Sequence, residues 1–411
     1  MCLSQEISPN MRYLLGTAAA LAVAGPACAQ DFEIRPLAEV RLRNEHVDQD
    51  GLPREADAVT ARVRTGVEIA SGHWSATVQG QGTLALVDHY DDGLHGPADR
   101  PQISDPQNIG LYVAQLQYRT KGALLTAGRQ KITLDDERFV GNAPIRDNAQ
   151  TYDAVRAQLS PIRGLKLDVS YAWSVRTIWG IDGRGARQQA VGGDNVFANL
   201  SYATPIGTLT GFAYLVDQDE AAVQGYRLSS RTYGARLSGS HAFSPSVKLD
   251  YLASYARQWD HHRNPNDYHA DYWLGDATLD VRGWKLNAGY EVLGASDGTP
   301  FTSFQTPLGS NFKFQGWTDK FLTTPANGIR DLYFGGGYGL KQVGPLSGVS
   351  LQAVWHRLDS DRLDQHYGNE VDLLASAKLR KTLVSLRYAH YDARNFATDT
   401  DKYWIQFDWT Y

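Results

Sequence analysis

Through most of this 411-residue chain, apolar and polar side chains alternate at period two, and almost no stretch carries the 3.6-residue period of a helix. Ala38, Val40 and Leu42 share one parity, and Glu39, Arg41 and Arg43 the other. Val59, Ala61, Val63, Val67 and Ile69 stand opposite Thr60, Arg62, Arg64 and Glu68. Leu165, Leu167, Val169, Tyr171 and Trp173 stand opposite Lys166, Asp168, Ser170 and Ser174. At the C-terminus, Tyr403, Ile405, Phe407, Trp409 and Tyr411 face away from Gln406, Asp408 and Thr410, and only Trp404 breaks the rule. About eighteen such runs follow one another, each near the length of a tilted membrane-spanning strand. The runs at 123–130, 269–280 and 329–340 are less regular, because both parities carry apolar residues.

The connections narrow the fold further. Tight turns such as "ASGH" at Ala70, "RTKG" at Arg119, "SPIRG" at Ser160 and "DVRG" at Asp280 alternate with long polar segments. The long segments are 88–108, 131–150, 177–193, 218–230, 258–268 and 294–328. Short turns at one end and long loops at the other are the pattern of an outer-membrane barrel, and closure removes the edges that an open sheet would expose. A secreted β-sandwich also alternates along its strands, but its loops do not alternate in length this way. The sequence therefore predicts an all-β fold, a transmembrane antiparallel β-barrel of about 18 strands. The last strand closes it against the first, with its bulky odd face towards lipid. An even strand number puts both termini in the periplasm.

The N-terminus reads as a secretory signal. Arg12 precedes an apolar stretch over 13–25, and Ala27-Cys28-Ala29 forms a cleavage site before Gln30. Residues 1–29 are thus expected to be an N-terminal extension and signal peptide, and 30–411 the barrel. Both cysteines, Cys2 and Cys28, precede the cut, so the mature chain is expected to hold no disulfide and no cysteine metal site. The formal charge of −5 argues against nucleic acid as a partner.

If the apolar parity faces out, the polar parity lines a lumen. Arg41, Arg43, Arg62 and Arg64 come first, then Arg156, Lys166, Arg176, Arg236, Lys248, Lys285, Lys378 and Arg387. Inward acids are fewer: Glu39, Glu68, Asp168, Asp250, Glu291, Asp372 and Asp408. Fixed cations in a narrow pore favour anions, and arginine adds planar bidentate binding of carboxylates. Cross-strand pairing with acids is the structural role open to many of them. The long loops lean acidic, as in "DHYDDG" and "DQDE".

Catalytic chemistry is not expected. Asp135, Asp136 and Glu137 in "LDDER" are adjacent loop acids, more suited to solvation or pairing with arginine than to cleaving glycosides. His261, His262 and His269 share a loop rather than a rigid metal cage. "GGGYG" at Gly335 lacks the strand–turn–helix setting of a nucleotide loop and reads as a close-packed strand. No cofactor and no metal are implied.

Two longer segments, "GRQKITLDDERFVGNAPIRDNAQTYDAVR" from Gly128 and "LGSNFKFQGWTDKFLTTPANGIRDLYFGGGYGL" from Leu308, resemble the alginate export family of outer-membrane barrels. The resemblance covers the mature chain and implies an eighteen-stranded barrel. It also implies an arginine-rich constriction with inward-folded loops that selects a polyuronate, delivered by a periplasmic scaffold protein. Carried onto this sequence, it singles out Arg129, Arg138, Arg146 and Arg156 in the first segment, and Lys320 and Arg330 in the second. The expectation is a monomeric channel for an anionic polysaccharide or oligosaccharide, surrounded by outer-membrane lipid and lipopolysaccharide. The barrel-assembly machinery is expected to read its C-terminal strand. The alternative is a general or substrate-specific porin for small anions or sugars.

Overall fold

The computed structural model describes residues 32–411; the expected signal peptide, Cys2 and Cys28 lie outside the described residues. The strands run β1 (Glu33–Gln49), β2 (Ala56–Ser71), β3 (Trp74–His89), β4 (Asn108–Arg119), β5 (Ala123–Gln130) and β6 (Thr151–Ile162). Next come β7 (Leu165–Arg176), β8 (Ala190–Thr204), β9 (Gly207–Val216), β10 (Ser230–Ser244), β11 (Val247–Asp260) and β12 (His269–Val281). The last six are β13 (Trp284–Leu293), β14 (Ile329–Val343), β15 (Leu346–Asp359), β16 (His366–Leu379), β17 (Thr382–Ala393) and β18 (Thr400–Thr410). Each pairs antiparallel with the next, and β18 pairs with β1, so the sheet closes into an 18-stranded barrel. Val40 sits opposite Trp409 and Leu42 opposite Phe407 across that closing seam.

Period two dictates what each wall sees. Val40, Leu42, Val63, Leu125, Val155, Leu209, Ile405 and Phe407 are exposed on the outside, a face that only lipid can cover without cost. Aromatic pairs mark both rims: Trp74 with Tyr118 and Trp284 with Tyr338 near the short turns, Tyr255 with Trp273 and Tyr388 with Tyr403 near the long loops. Rings with a polar edge favour such interfaces. The three less regular runs are strands β5, β12 and β14. Connections at 50–55, 360–365 and 394–399 belong to the long-loop end yet stay short.

The lumen is not uniformly polar. Inward Tyr152, Phe197, Phe212, Tyr214 and Tyr272 are buried and form an apolar cluster with Ile132, Leu134, Val140, Phe304 and Leu308, which come from loops. The longest loops are therefore packed inside the barrel. Burying a large apolar side chain there stabilises by about 1.5–3 kcal/mol.

Candidate functional site

Two loops build a constriction, residues 131–150 between β5 and β6 and residues 294–328 between β13 and β14. Phe139 is the peg of the first. Its ring lies 5.1 Å from Tyr272, 5.4 Å from Phe212, 5.7 Å from Phe304 and 5.8 Å from Tyr214. The three acids beside it each take a separate partner. Asp135 accepts from Asn199 at 2.9 Å, Asp136 pairs with Arg236 at 2.8 Å, and Glu137 pairs with Lys313 of the second loop at 2.6 Å. Burial raises the Asp135 carboxyl above its ordinary range, against the pull of Arg236. These acids are anchors.

The loops also clasp each other. The Gly141 amide donates to the Leu308 carbonyl at 2.9 Å, and the Ser310 amide to the Glu137 carbonyl at 2.9 Å. Ser310 Oγ donates to Glu137 at 2.6 Å. Arg146 pairs with Asp319 at 3.0 Å, and Asp319 in turn accepts from Lys402 on β18 at 2.8 Å. Burial pushes the Asp319 carboxyl up, but Arg146 and Lys402 outweigh it and hold the group down at about 2. Arg138 ties the first loop to the far wall, 2.8 Å from Glu291 on β13 and 2.9 Å from Gln315.

The clasp divides the lumen. A cavity of about 700 Å³ lies on one side and one of about 550 Å³ on the other. Pro144, Ile145, Phe312 and Lys313 line both, so they form the eyelet where the two meet.

Charge is unevenly spread around it. Arg41 on β1 donates to Asp408 at 2.8 Å and to the carbonyls of Pro144 and Ile145 at 3.2 and 3.0 Å. Arg43 is locked in a short hydrogen bond to Asp105 and also faces Asp147 at 3.3 Å. Burial lifts the Asp105 carboxyl to about 6 despite Arg43, and neighbouring Asp147 adds to the rise. Arg64 binds Gln81 at 2.6 Å and stacks 4.0 Å above Tyr112. Arg62 is different: its nearest carboxylates are 3.7 and 3.9 Å away, and its Nε and Nη1 have no hydrogen-bond partner among the described residues. Arg387 on β17 lines the smaller cavity beside Arg41, and its Nη1 is likewise unpartnered. Asp276, Glu291 and Asp331 on β12, β13 and β14 line the same cavity, with His356 held 3.0 Å from Asp331, and Asp372 lines it from β16, next to the strand of Arg387. The site is bipolar, with guanidinium groups on β1 and β17 and carboxylates on β12, β13, β14 and β16.

The eleven residues singled out by sequence divide by location. Arg41, Arg43, Arg62 and Arg64 point inward on β1 and β2, and Arg156 points inward on β6, bound to Asp168 at 2.6 Å. Arg138 and Arg146 lie inside the barrel on the first loop. Lys320, on the second, donates to Gln49 at 3.1 Å, and burial, reinforced by Lys402, lowers it to about 8. Three stand on the other face. Arg129 shares the outward parity of Leu125, and Asp153, its partner at 2.7 Å, that of Val155. A bulge in β7 between Ala172 and Ser174 reverses parity, so Arg176 turns out and shares Asp153 at 3.3 Å. Arg330 has the parity of exposed Phe334 and pairs at the rim with Asp364 at 2.6 Å. The residues that sequence reasoning left out are the eyelet itself, Asp276, Asp331 and His356. Arg387 was on the inward parity but not singled out. Among the described residues, no group of three or more metal-ligating side chains could hold an ion.

No family model matches the chain, and no curated protein does. Solved structures resemble it closely in shape and weakly in sequence. The crystal structure of Pseudomonas aeruginosa OpdL matches at a TM-score of 0.66 and 15% identity, over 92% of this chain and 99% of that one. Acinetobacter baumannii OccAB1 matches at 0.69 and 11%, over 92% and 96%. Pseudomonas aeruginosa OccK9 (OpdG) matches at 0.67 and 15%, over 92% and 98%. The likeness does not support the expected place in the alginate export family. What it shows is the fold: this chain closes into a barrel of the same architecture as these Occ and Opd proteins.

Proposed function

We propose that this protein is an outer-membrane porin that passes small carboxylate-bearing solutes passively, with its long loops outside and its short turns in the periplasm. The observation that carries the reading is the eyelet. Two cavities of small-molecule size meet there beside Arg41 and Lys313, and Arg387, which makes no ion pair among the described residues, lines the smaller one. A carboxylate accepts what an unpaired guanidinium offers, and the acids opposite orient a solute that also carries hydrogen-bond donors. Occ and Opd proteins share the fold, which favours the small-solute alternative over export of a polyuronate chain.

The test is reversal potential in a planar bilayer under a KCl gradient, paired with liposome swelling in small carboxylates and in neutral sugars of equal size. Wild-type protein should prefer chloride and admit carboxylates faster. Arg387→Ala should weaken both preferences, while Arg129→Ala, on the outer wall, should change neither. A cation-selective pore, or equal swelling rates for charged and neutral solutes, would sink the proposal.

A further inference from the structure

At the long-loop end of β10, β11 and β12, the outer wall carries cations in a lattice set by strand register. Arg231 lies level with Trp259, and Trp259 with His269. In the row below, Tyr233 lies level with Arg257, and Arg257 with Asp271. Neighbouring strands are about 4.8 Å apart, so these side chains cover a patch one lipid headgroup wide. From Val247 to Arg257, a strand tilted by about 40° climbs about 25 Å, the height of the apolar band. The patch therefore stands at the membrane's edge.

Its charges are not balanced. Asp271 is taken up by Arg257, at 2.7 and 2.8 Å, and by the Tyr255 hydroxyl at 2.7 Å. Arg231 is exposed and makes no ion pair among the described residues. Other outward arginines at this end are neutralised: Arg129 by Asp153, Arg330 by Asp364 and Arg357 by Asp359. Tyr233 and Trp259 flank Arg231 and meet edge to face at 6.0 Å, offering apolar ring surface next to the cation. Beside Tyr233 the outward position is Ala213, in the row beneath stand Ala235 and Gly211, and a Cβ added at Gly211 would meet nothing within 4 Å. That leaves room for an acyl chain against the wall.

We infer that this patch binds the phosphate of an outer-leaflet phosphoglycolipid, with Arg231 as the free phosphate ligand, Arg257 beside it, and the rings of Tyr233 and Trp259 against the sugar. An unpaired guanidinium facing a lipid surface meets phosphate as its commonest anion, and charge-assisted, forked hydrogen bonds suit it. The inference rests on the barrel's placement with long loops outward, not on which solute it passes.

The experiment uses full-length protein purified in detergent and native mass spectrometry with three lipids: bisphosphorylated lipid A, the same lipid dephosphorylated, and phosphatidylglycerol. Wild-type protein should retain the bisphosphorylated form about tenfold better than the other two. Arg231→Gln should lose that margin, Arg231→Lys should keep part of it, and Arg357→Gln, on another wall, should keep all of it. Heat-modifiable gel mobility certifies that each variant has folded. Equal retention by wild type and Arg231→Gln would overturn the site. Equal retention of the two lipid A forms would overturn the phosphate, and tight phosphatidylglycerol binding the glycolipid. Channel conductance of Arg231→Gln should stay at the wild-type value, so failure here and failure of the porin reading are read separately.

Discussion

Asp319→Asn is the perturbation that best tests whether the clasp sets the pore. The carboxylate stands 3.0 Å from Arg146 on one loop and 2.8 Å from Lys402 on the wall; both cations are buried and Asp319 is mostly so. Removing one member of a buried ion pair costs about 3–5 kcal/mol, because the partner is left charged and uncompensated. Lys402 would keep Glu45 at 3.5 Å, so the lower end, about 3 kcal/mol, applies. That free energy is lost from the inward state of the loops, which should raise the population of an opened constriction by about a hundredfold. Single-channel recording at pH 7 should show larger conductance steps and added open-channel noise. The wild type offers an independent route to the same state. Asp319 is held down from the usual 3.8 to about 2, so its stabilisation is complete above pH 4 and is lost as pH falls towards 2. The drop is worth about 2–3 kcal/mol, in line with the figure for the variant. Acid should therefore open the wild-type channel in that window and leave Asp319→Asn unmoved. Wild-type conductance and noise in Asp319→Asn at pH 7 would refute the clasp, as would an acid transition that survives the substitution.

Further tests address charge, wall and orientation. Lys320 carries its proton below about pH 8 and sheds it above, so chloride preference, read as reversal potential, should fall between pH 7 and 9 and not in Lys320→Gln. Val63→Arg puts a cation on the lipid face of β2 and should cost about 2–4 kcal/mol in denaturant unfolding, if that position lies mid-bilayer. Cysteines placed at Asp92 or His261 should label on intact cells with an impermeant reagent, while one at Arg282, in a tight turn, should not. Labelling of Arg282→Cys alone would invert the proposed orientation.

Period two made the barrel legible because each lipid-facing position must be apolar, whatever its neighbours do. Strand number and the positions of the 131–150 and 294–328 loops could be read directly for that reason. The irregular run that became β12 failed the rule for a physical cause. Tyr272 and Leu274 face the lumen but pack against loop residues, so both parities of that strand are apolar. What a loop does inside the barrel leaves this trace on the wall it touches, although the sequence does not say which loop touches it.

The site was legible only in part, and Arg176 shows why. Parity carries a residue's face along a strand only while the register is unbroken, and the bulge at Trp173 inverts everything beyond it. Arg129 and Arg330 were chosen by resemblance, in runs where apolar residues on both parities hid the outward face, and the exposure of Leu125 and Phe334 places both outside. Arg387 shows the converse: its inward parity was plain, but most inward arginines are consumed by acids that only register reveals. Glu39 sits level with Arg64, Asp408 with Arg41, and Asp168 lies near enough to Arg156 to bind it twice. An anion passing the eyelet meets the cations left over from those pairings. Counting inward arginines therefore overstates the field in the pore. The arginine that matters is one such as Arg387, which lines the cavity and makes no ion pair among the described residues.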